Sequence, residues 1–484
     1  MTTQNNVSNV TPPTYSDKNA ERVYICSKLL FPSILYACIY VLLLYKNYNS
    51  ITMPLFVLAT LGYCLYCIKM FQMITQKVFV LYAIGMLSLG ISTCCTNSIL
   101  FHVVNFLGII LILLCMLLHQ YFNVRNWTLA KYITELGSTL LGTIGCLTDF
   151  FNDITCLGKT KANKRNTVIG YILLGIGISI PFLIFVTILF CSADAVFKDF
   201  VTGIFDFDFK IADVIGVLFT FVMVLLTSYC CIRFFNRKEI SEDVPDFRRF
   251  EPIIANTILS LTGILYLLFS SIQILYLFLG NMTLPDGYTY AEYAREGFFQ
   301  LLFVSLLNIV LVLFFLSFFR ENKFLKVLLT IISGCTYIML ASSALRMCMY
   351  IGIYRLTSLR IFVLWFLALL AFLLAGVIIL IYKHKFPIFR YMLVIVSVFY
   401  IGLSFAHPDY WIAKYNLSHP APSMETYEIG NEYLQHLSAD AAPAIVSCKE
   451  PWVENYRNRI IKEYKKDIRS FNFSTWNAYR LFKK

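Results

Sequence analysis

Residues 288–307 read YTYAEYAREGFFQLLFVSLL, and this stretch decides the fold class of the chain. It places Glu292, Arg295 and Glu296 directly against a long apolar run. Charged side chains at membrane depth are costly unless water or a partner group meets them. We therefore expect the stretch to enter a membrane as a helix, with its charged residues at the boundary.

The composition around this stretch is that of a membrane protein with many spans. Of the 484 residues, 58% are hydrophobic and 14% are charged, whereas a soluble domain carries roughly 25% charged residues. The 43 Phe and 31 Tyr suit lipid-facing surfaces and interfacial belts. Most of the 15 cysteines lie inside apolar runs, where thiols behave as small hydrophobic groups.

Eleven apolar blocks are long enough for transmembrane helices, which need about 20 residues each. The predicted fold is therefore all-α, a polytopic membrane protein with about 11 spans. The spans are predicted at residues 29–45, 53–68, 78–95, 98–118, 168–191, 214–232, 253–280, 298–319, 324–350, 361–382 and 391–405.

Basic residues in the loops predict the orientation. If the loops alternate from a cytoplasmic N-terminus, one side carries 22 of the 40 Lys and Arg residues and the other carries 7, with the remaining 11 after residue 405. Because Lys and Arg concentrate in cytoplasmic loops, we predict that the N-terminus lies inside and the C-terminal tail outside. These loops account for the net charge of +12, and no basic helix or stacking platform indicates nucleic-acid binding.

The spans divide the chain into five predicted segments. Residues 1–28 are polar and are predicted to form a disordered cytoplasmic arm. Residues 29–120 form an N-terminal four-helix membrane region, and residues 121–167 form a cytoplasmic or interfacial segment. Residues 168–405 form a seven-helix membrane core, and residues 406–484 form an extracytoplasmic helical tail.

The sequence carries no signature of a standard hydrolase, ATPase or zinc site. We therefore expect no metal and no cofactor, and a non-enzymatic role is favoured. The expected partners are the lipid bilayer and a lipid or anionic ligand, while no protein partner is indicated. His102 and Gln273 lie inside spans and are expected to form interhelical hydrogen bonds.

Eight polar residues are predicted to converge at the outer membrane boundary. Two interpretations remain open for them. One is an ion-pair network that fastens helix ends together. The other is a pocket in which arginines grip a phosphate or carboxylate and an acid serves as a base or ion ligand. The residues are Ser192, Asp194, Glu292, Arg295, Glu296, Arg346, Arg355 and Arg360.

Several of these positions lie in segments that resemble a known family. The segments are SADAVF (192–197), TYAEYAREGFFQLLFVSLLN (289–308), SSALRMCMYIGIYRLTSLRIFV (342–363), EYLQHLSADAAPAI (432–445) and FNFSTWNAYR (471–480). They resemble a bacterial polytopic membrane family catalogued as domain of unknown function 4173, from about residue 168 onward. The resemblance implies a multi-pass protein of the bacterial plasma membrane, and it implies no activity.

Two functions follow from these observations. The favoured one is an envelope protein that senses, binds or transports a ligand through the outer polar cluster. The alternative is a membrane-embedded transferase acting on a lipid-linked substrate at the outer leaflet. In that case Asp194 or Glu292 would serve as the base or metal ligand, and Arg346 and Arg360 would hold a phosphate. A transferase predicts a lipid-sized groove beside these residues.

Overall fold

The computed structural model describes residues 18–124, 127–159, 211–237, 248–275, 290–419, 424–464 and 467–483, with a few isolated positions between 186 and 240. In this part of the chain there are seventeen α-helices. The helices are α1 (Lys18–Leu44), α2 (Thr52–Met70), α3 (Val78–Cys95), α4 (Ile99–Tyr121), α5 (Leu129–Gly145), α6 (Leu147–Lys159), α7 (Ile211–Arg237), α8 (Pro252–Gln273), α9 (Tyr290–Phe318), α10 (Lys323–Tyr354), α11 (Ser358–Tyr382), α12 (Ile388–Phe405), α13 (Pro408–Ser418), α14 (Met424–Gln435), α15 (Ala442–Ile445), α16 (Trp452–Glu463) and α17 (Phe473–Lys483).

Ten of these helices are long and apolar enough to cross a membrane, namely α1 to α4 and α7 to α12. No strand occurs among the described residues, where the β-structure is limited to an isolated bridge between Phe250 and Phe319. The predicted all-α polytopic architecture is thereby confirmed. The predicted span at residues 168–191 lies outside the described residues.

Two helix starts differ most from the sequence prediction. The α1 helix begins at Lys18, so the prediction of a disordered arm is wrong for residues 18–28, while residues 1–17 lie outside the described part. This segment is helical because Ile25 and Cys26 are buried in the core and Glu21 pairs with Arg233 at 3.3 Å. Such distant partners are invisible in a polar stretch of sequence. The α9 helix begins eight residues before the predicted start of its span.

The membrane helices form two packed groups that share α12. The first core joins α1 to α4 with α5, α6 and α7, and the second joins α8 to α11. The α12 helix packs against α3 and α5 of the first group and against α11 of the second. Its Tyr400 hydroxyl donates to Asn105 on α4 at 2.8 Å, and Ser404 lies in hydrogen-bond contact with Ser92 on α3. Apolar side chains on the outer faces of both groups are exposed and suit contact with lipid.

At one end of the bundle, α5 and α6 form a helical hairpin beneath the membrane helices. Tyr132 on α5 stacks on Phe389 at the start of α12, with ring centroids 3.8 Å apart. On α6, Asp153 is fully buried and lies 3.1 Å from Arg233 and 3.7 Å from Arg22, and it accepts the Tyr229 hydroxyl at 3.0 Å. This network joins α1, α6 and α7 at the end where α1 begins and α7 ends.

At the opposite end, residues 406–483 pack into a third, smaller core. Its helices α13 to α17 bury Trp452, Tyr456 and Ile460 against alanines and leucines of the same segment. We call this segment the tail. It rests on the loops that connect α1 to α2, α3 to α4 and α10 to α11, through contacts described below. The first turn of α7 lies at the same end, since Asp213 pairs with Lys46 of the α1–α2 loop.

Candidate functional site

The tail is fastened to the membrane helices by one buried carboxylate. Asp440 lies in the short turn before α15 and is 5% exposed. It accepts hydrogen bonds from the hydroxyls of Thr96 and Ser474 and from the Asn97 backbone N–H at 3.0 Å. The Nδ1 atom of His407 lies 3.5 Å from its carboxylate. One side chain therefore joins the α3–α4 loop, the end of α12 and α17.

The electrostatics of this junction favour a charged pair. Burial alone would raise the pKa of Asp440, but hydrogen bonds from His407, Ser474 and Thr96 outweigh burial and hold it below its usual range. The hydrogen bond to Asp440 raises the pKa of His407 against the opposing effect of burial. His407 also adopts a left-handed backbone conformation with φ of 48°, a strained geometry for a residue other than glycine.

Two asparagines of the tail bind backbone groups of the membrane helices. The Nδ2 of Asn472 donates to the carbonyl oxygens of Asn49 at 2.7 Å and Thr96 at 2.8 Å. Asn416 pairs with both backbone groups of Leu356, accepting its N–H and donating to its carbonyl, each at 2.9 Å. The α1–α2, α3–α4 and α10–α11 loops are therefore all bound by amide side chains that are themselves buried.

Between these fastenings lies an open cleft of about 590 Å³. One wall comes from the α1–α2 loop, the α3–α4 loop and the first turn of α4, and the other wall comes from the tail. We call it the tail cleft. It is lined by Lys46, Asn47, Asn49, Asn97, Ser98, Ile99, Leu100, His102, Asp409, His436, Ser438, Arg459, Glu463, Tyr464, Ser470, Asn472 and Thr475.

His102 is the most deeply placed ionisable side chain on the bundle side of the tail cleft. It lies one turn into α4 and is 9% exposed. Neither ring nitrogen has a hydrogen-bond partner among the described residues. The expected interhelical hydrogen bond of His102 is thus not found there, whereas the one expected for Gln273 is found, since Ser342 on α10 donates to it at 2.7 Å. Because buried polar groups are rarely left unpaired, the unengaged ring of His102 makes the tail cleft a candidate site.

Asp409 contributes a half-buried acid to the tail cleft. Its carboxylate accepts the Ser438 backbone N–H at 3.1 Å and the Ser438 hydroxyl at 2.6 Å. Burial raises the pKa of Asp409, although these hydrogen bonds oppose the rise. Arg459 lies on the same wall, where its guanidinium stacks over Tyr456 and donates to the Leu437 carbonyl.

Two of the sequence-predicted site residues lie beside the tail. Arg355, which ends α10 with φ of 66°, is buried and donates to the His419 carbonyl at 3.2 Å. Arg360 donates to the carbonyls of Tyr354 and Arg355, and its guanidinium covers the Tyr350 ring at 4.4 Å. The structure thus brings these two arginines together, in contacts that fix the α10–α11 loop.

The other predicted residues are placed as follows. Arg346 is buried within α10, about 13 Å along the helix axis from Arg355. The exposed Asp194 accepts the backbone N–H of Phe197 at 3.4 Å. The described part of the structure does not include Ser192 or the side chains of Glu292, Arg295 and Glu296. The backbone of the last three residues belongs to α9. Convergence of all eight residues stays a prediction.

Sequence reasoning did not select Asp440 or Asp409. Asp440 lies in the segment EYLQHLSADAAPAI, where a single acid is flanked by alanines, and a charge in so apolar a turn is a signal for burial. Asp409 follows His407 and Pro408 just after a span. Neither residue stands near the other in sequence, so their shared site could be found only from the fold.

Comparisons with known proteins identify a family and no activity. A family model for a domain of unknown function, DUF4153, matches residues 81–448. The resemblance seen in the sequence pointed to a family with a different number, 4173, and to a start near residue 168. A family of unknown function is confirmed, but its number and starting point are corrected. Searches of curated proteins and of solved structures found no match. Because the match covers most of the chain, from α3 to the tail, the protein belongs to the DUF4153 family.

Proposed function

We propose that this membrane protein binds a small polar ligand at the extracytoplasmic face of a bacterial plasma membrane and senses it through the tail. The observation that carries the proposal is the tail cleft, with the unpartnered imidazole of His102 on its bundle side. Its volume of about 590 Å³ falls within the range of roughly 300–1,000 Å³ that is usual for small-molecule sites.

The position of the tail cleft supports a sensing role. One wall belongs to the first membrane core and the other to the tail core. A ligand that contacts both walls binds more tightly when the tail rests on the loops than when the tail has moved away from them. It therefore shifts the population toward the docked state, by as much as the difference between the two affinities.

The eight polar residues predicted at the outer membrane boundary are also part of this proposal. Arg355 and Arg360 shape the α10–α11 loop on which the tail rests, and Arg346, Asp194 and the acids of α9 are proposed to extend the site toward the membrane. The transferase alternative rests on the sequence alone, since the side chain of Glu292 lies outside the described residues.

The proposal is tested by filling the tail cleft. Ser98 begins α4 at the rim of the cleft and is half-buried, so Ser98→Trp occupies the space without removing a hydrogen bond of the junction. We expect the molecules below 1 kDa in an envelope extract to raise the melting temperature of the full-length wild type in detergent. A ligand at about 100 times its Kd stabilises by about 2.7 kcal/mol. The rise should be absent in Ser98→Trp.

A matched control is Ser418→Trp on the exposed end of α13, away from the cleft. This variant should keep the full rise. An extract that stabilises all three proteins equally, or none of them, would exclude ligand binding in the tail cleft.

A further inference from the structure

The hydrogen-bonding groups of the tail cleft indicate which chemical class of ligand it accepts. This step rests on the proposed function, because it concerns the same cleft.

The charges of the tail cleft are balanced and largely engaged. Lys46 is paired with Asp213 outside the cleft. Arg459 is held by the Leu437 carbonyl and by the ring of Tyr456. The two acids that line the cleft, Asp409 and Glu463, equal the two basic side chains in number. A phosphate or carboxylate site gathers several uncompensated cationic donors, and the described wall residues provide no such set.

The unengaged hydrogen-bonding groups come from one short segment. His102 has two unpartnered ring nitrogens, and no side-chain hydrogen bond is formed by Asn97 or Ser98 to other described residues. In its neutral form an imidazole offers one donor and one acceptor, an amide offers both kinds, and a hydroxyl does the same. The ligand group that matches such mixed donor and acceptor sites is another hydroxyl.

Apolar surface lies directly beside these groups. Ile99 and Leu100, in the same first turn of α4, are 79% and 51% exposed and line the tail cleft. Tyr464 lines it from the tail and is stacked on Tyr479 with centroids 4.1 Å apart. Hydroxyl-matching groups next to aliphatic and aromatic surface fit a molecule with hydroxyls at its edge and C–H groups on its face.

We infer that the tail cleft binds a neutral, hydroxyl-rich ligand, namely a short glycan of one or two sugar units, with His102 hydrogen-bonded to a ring hydroxyl. The glycan contacts the first turn of α4 on one side and the tail on the other, and it holds the tail in its docked position.

The experiment measures binding of defined probes to the full-length protein in a detergent without a sugar headgroup. The probes are the neutral disaccharides cellobiose and N,N′-diacetylchitobiose, with inorganic phosphate and L-glutamate as charged counterparts. We expect at least one disaccharide to bind, and His102→Phe to weaken its affinity at least tenfold. His102→Gln, which keeps a donor and an acceptor, should restore most of the affinity. His384→Phe, a half-exposed histidine at the other end of the bundle, should bind as the wild type does.

Three outcomes overturn the inference. In the first, phosphate or glutamate binds through His102 and the disaccharides do not, which leaves ligand binding in the cleft standing but assigns a charged ligand. In the second, the disaccharides bind equally to His102→Phe, which places them elsewhere. In the third, none of the four probes binds, although envelope extract still raises the melting temperature of the wild type and not of Ser98→Trp, which excludes the glycan and keeps the proposed function.

Discussion

Asp440 and His102 show two different situations for a buried polar side chain. Each carboxylate oxygen of Asp440 accepts a hydrogen bond. The donors Thr96 and Asn97 lie more than 340 residues earlier in the chain, and the donor Ser474 lies 34 residues later. His102 lies close by and has no hydrogen-bonded neighbour among the described residues. The first arrangement stabilises the docked tail, because removing one member leaves the others buried and unpaired. The second leaves a buried imidazole that the proposed ligand would pair.

Docking of the tail is expected to depend on pH through His407 and Asp440. The pKa of His407 is raised, so its contribution is complete below about pH 6.5 and is lost as the pH rises through the folded pKa. The lowered pKa of Asp440 gives a contribution that is lost only below about pH 4. Ionisation of Asp409, whose pKa is raised, weakens docking as the pH rises from about 4 through its folded pKa. Docking should therefore weaken above about pH 6.5, by about 1 kcal/mol or less because His407 is partly exposed.

Limited proteolysis of the tail between pH 5 and 9 measures this effect. The His407→Gln variant should lose the change in protection above pH 6.5, while His436→Gln, an exposed histidine that lines the tail cleft, should keep it. An unchanged pH profile in His407→Gln would assign the transition to another group.

At the scale of helices, the end of the bundle opposite the tail is joined by charge. The α1, α6 and α7 helices meet around Asp153, which is fully buried together with Arg233. A second pair, Arg237 with Asp149, links α7 and α6 one turn away. The α6 helix is amphipathic and too short to span a membrane by itself. It is therefore held by these ion pairs and by its contacts with α1 and α7.

Removing Asp153 should destabilise the protein strongly. Asp153→Ala leaves the Arg233 guanidinium buried without its nearest acid and the Tyr229 hydroxyl without its acceptor, a loss of about 3–5 kcal/mol. The double variant with Arg233→Met should recover part of this loss, because it removes the unpaired charge. Thermal unfolding in detergent measures both.

The exposed pair of Arg320 and Glu251, 3.0 Å apart and 62% exposed on each side chain, provides the control. Arg320→Ala should cost no more than about 1 kcal/mol. An equal loss of unfolding free energy in Asp153→Ala and Arg320→Ala would contradict the structural role assigned to Asp153.

At the scale of the whole molecule, the contacts of the tail with the membrane helices fall at one end in the part of the chain that the structure describes. The loops after α1, α3 and α10 bind the tail, and these are loops that the distribution of basic residues assigns to the outer side. The α5–α6 hairpin lies at the other end, on the side with more Lys and Arg. The distribution of basic residues and the packing of the tail therefore distinguish the same two ends of the molecule.

Reporter fusions test this orientation. Green fluorescent protein joined before Met1 should fluoresce, and alkaline phosphatase joined after Lys484 should be active, since each works only on its own side of the membrane. Alkaline phosphatase joined before Met1 should be inactive, and green fluorescent protein joined after Lys484 should not fluoresce. Fluorescence from a fusion after Lys484 would reverse the predicted topology and remove the tail cleft from the outer face.

The spans could be predicted from the sequence because each is a continuous apolar run, as in α11 and α12. The tail cleft could not, because its walls come from residues far apart in the chain, such as Ser98 and Asn472. The start of α1 was missed for the same reason, since its first turns are held by Asp153 and Arg233. Arg355 is predictable from sequence as a charged residue beside a span. Its left-handed backbone and its hydrogen bond to the His419 carbonyl can be seen only in the folded structure.

The amide of Asn472 and the backbone of Phe471 bind the α1–α2 loop, including the Ile51 N–H at 2.9 Å. Residues 471 and 472 are translated after every membrane helix described above. The first hairpin therefore emerges from the ribosome long before its final partners exist, and it gains them only after residues 471 and 472 have been synthesised. Docking of the tail is thus a late step of folding, and a chain released before residue 471 leaves the α1–α2 loop without these hydrogen bonds.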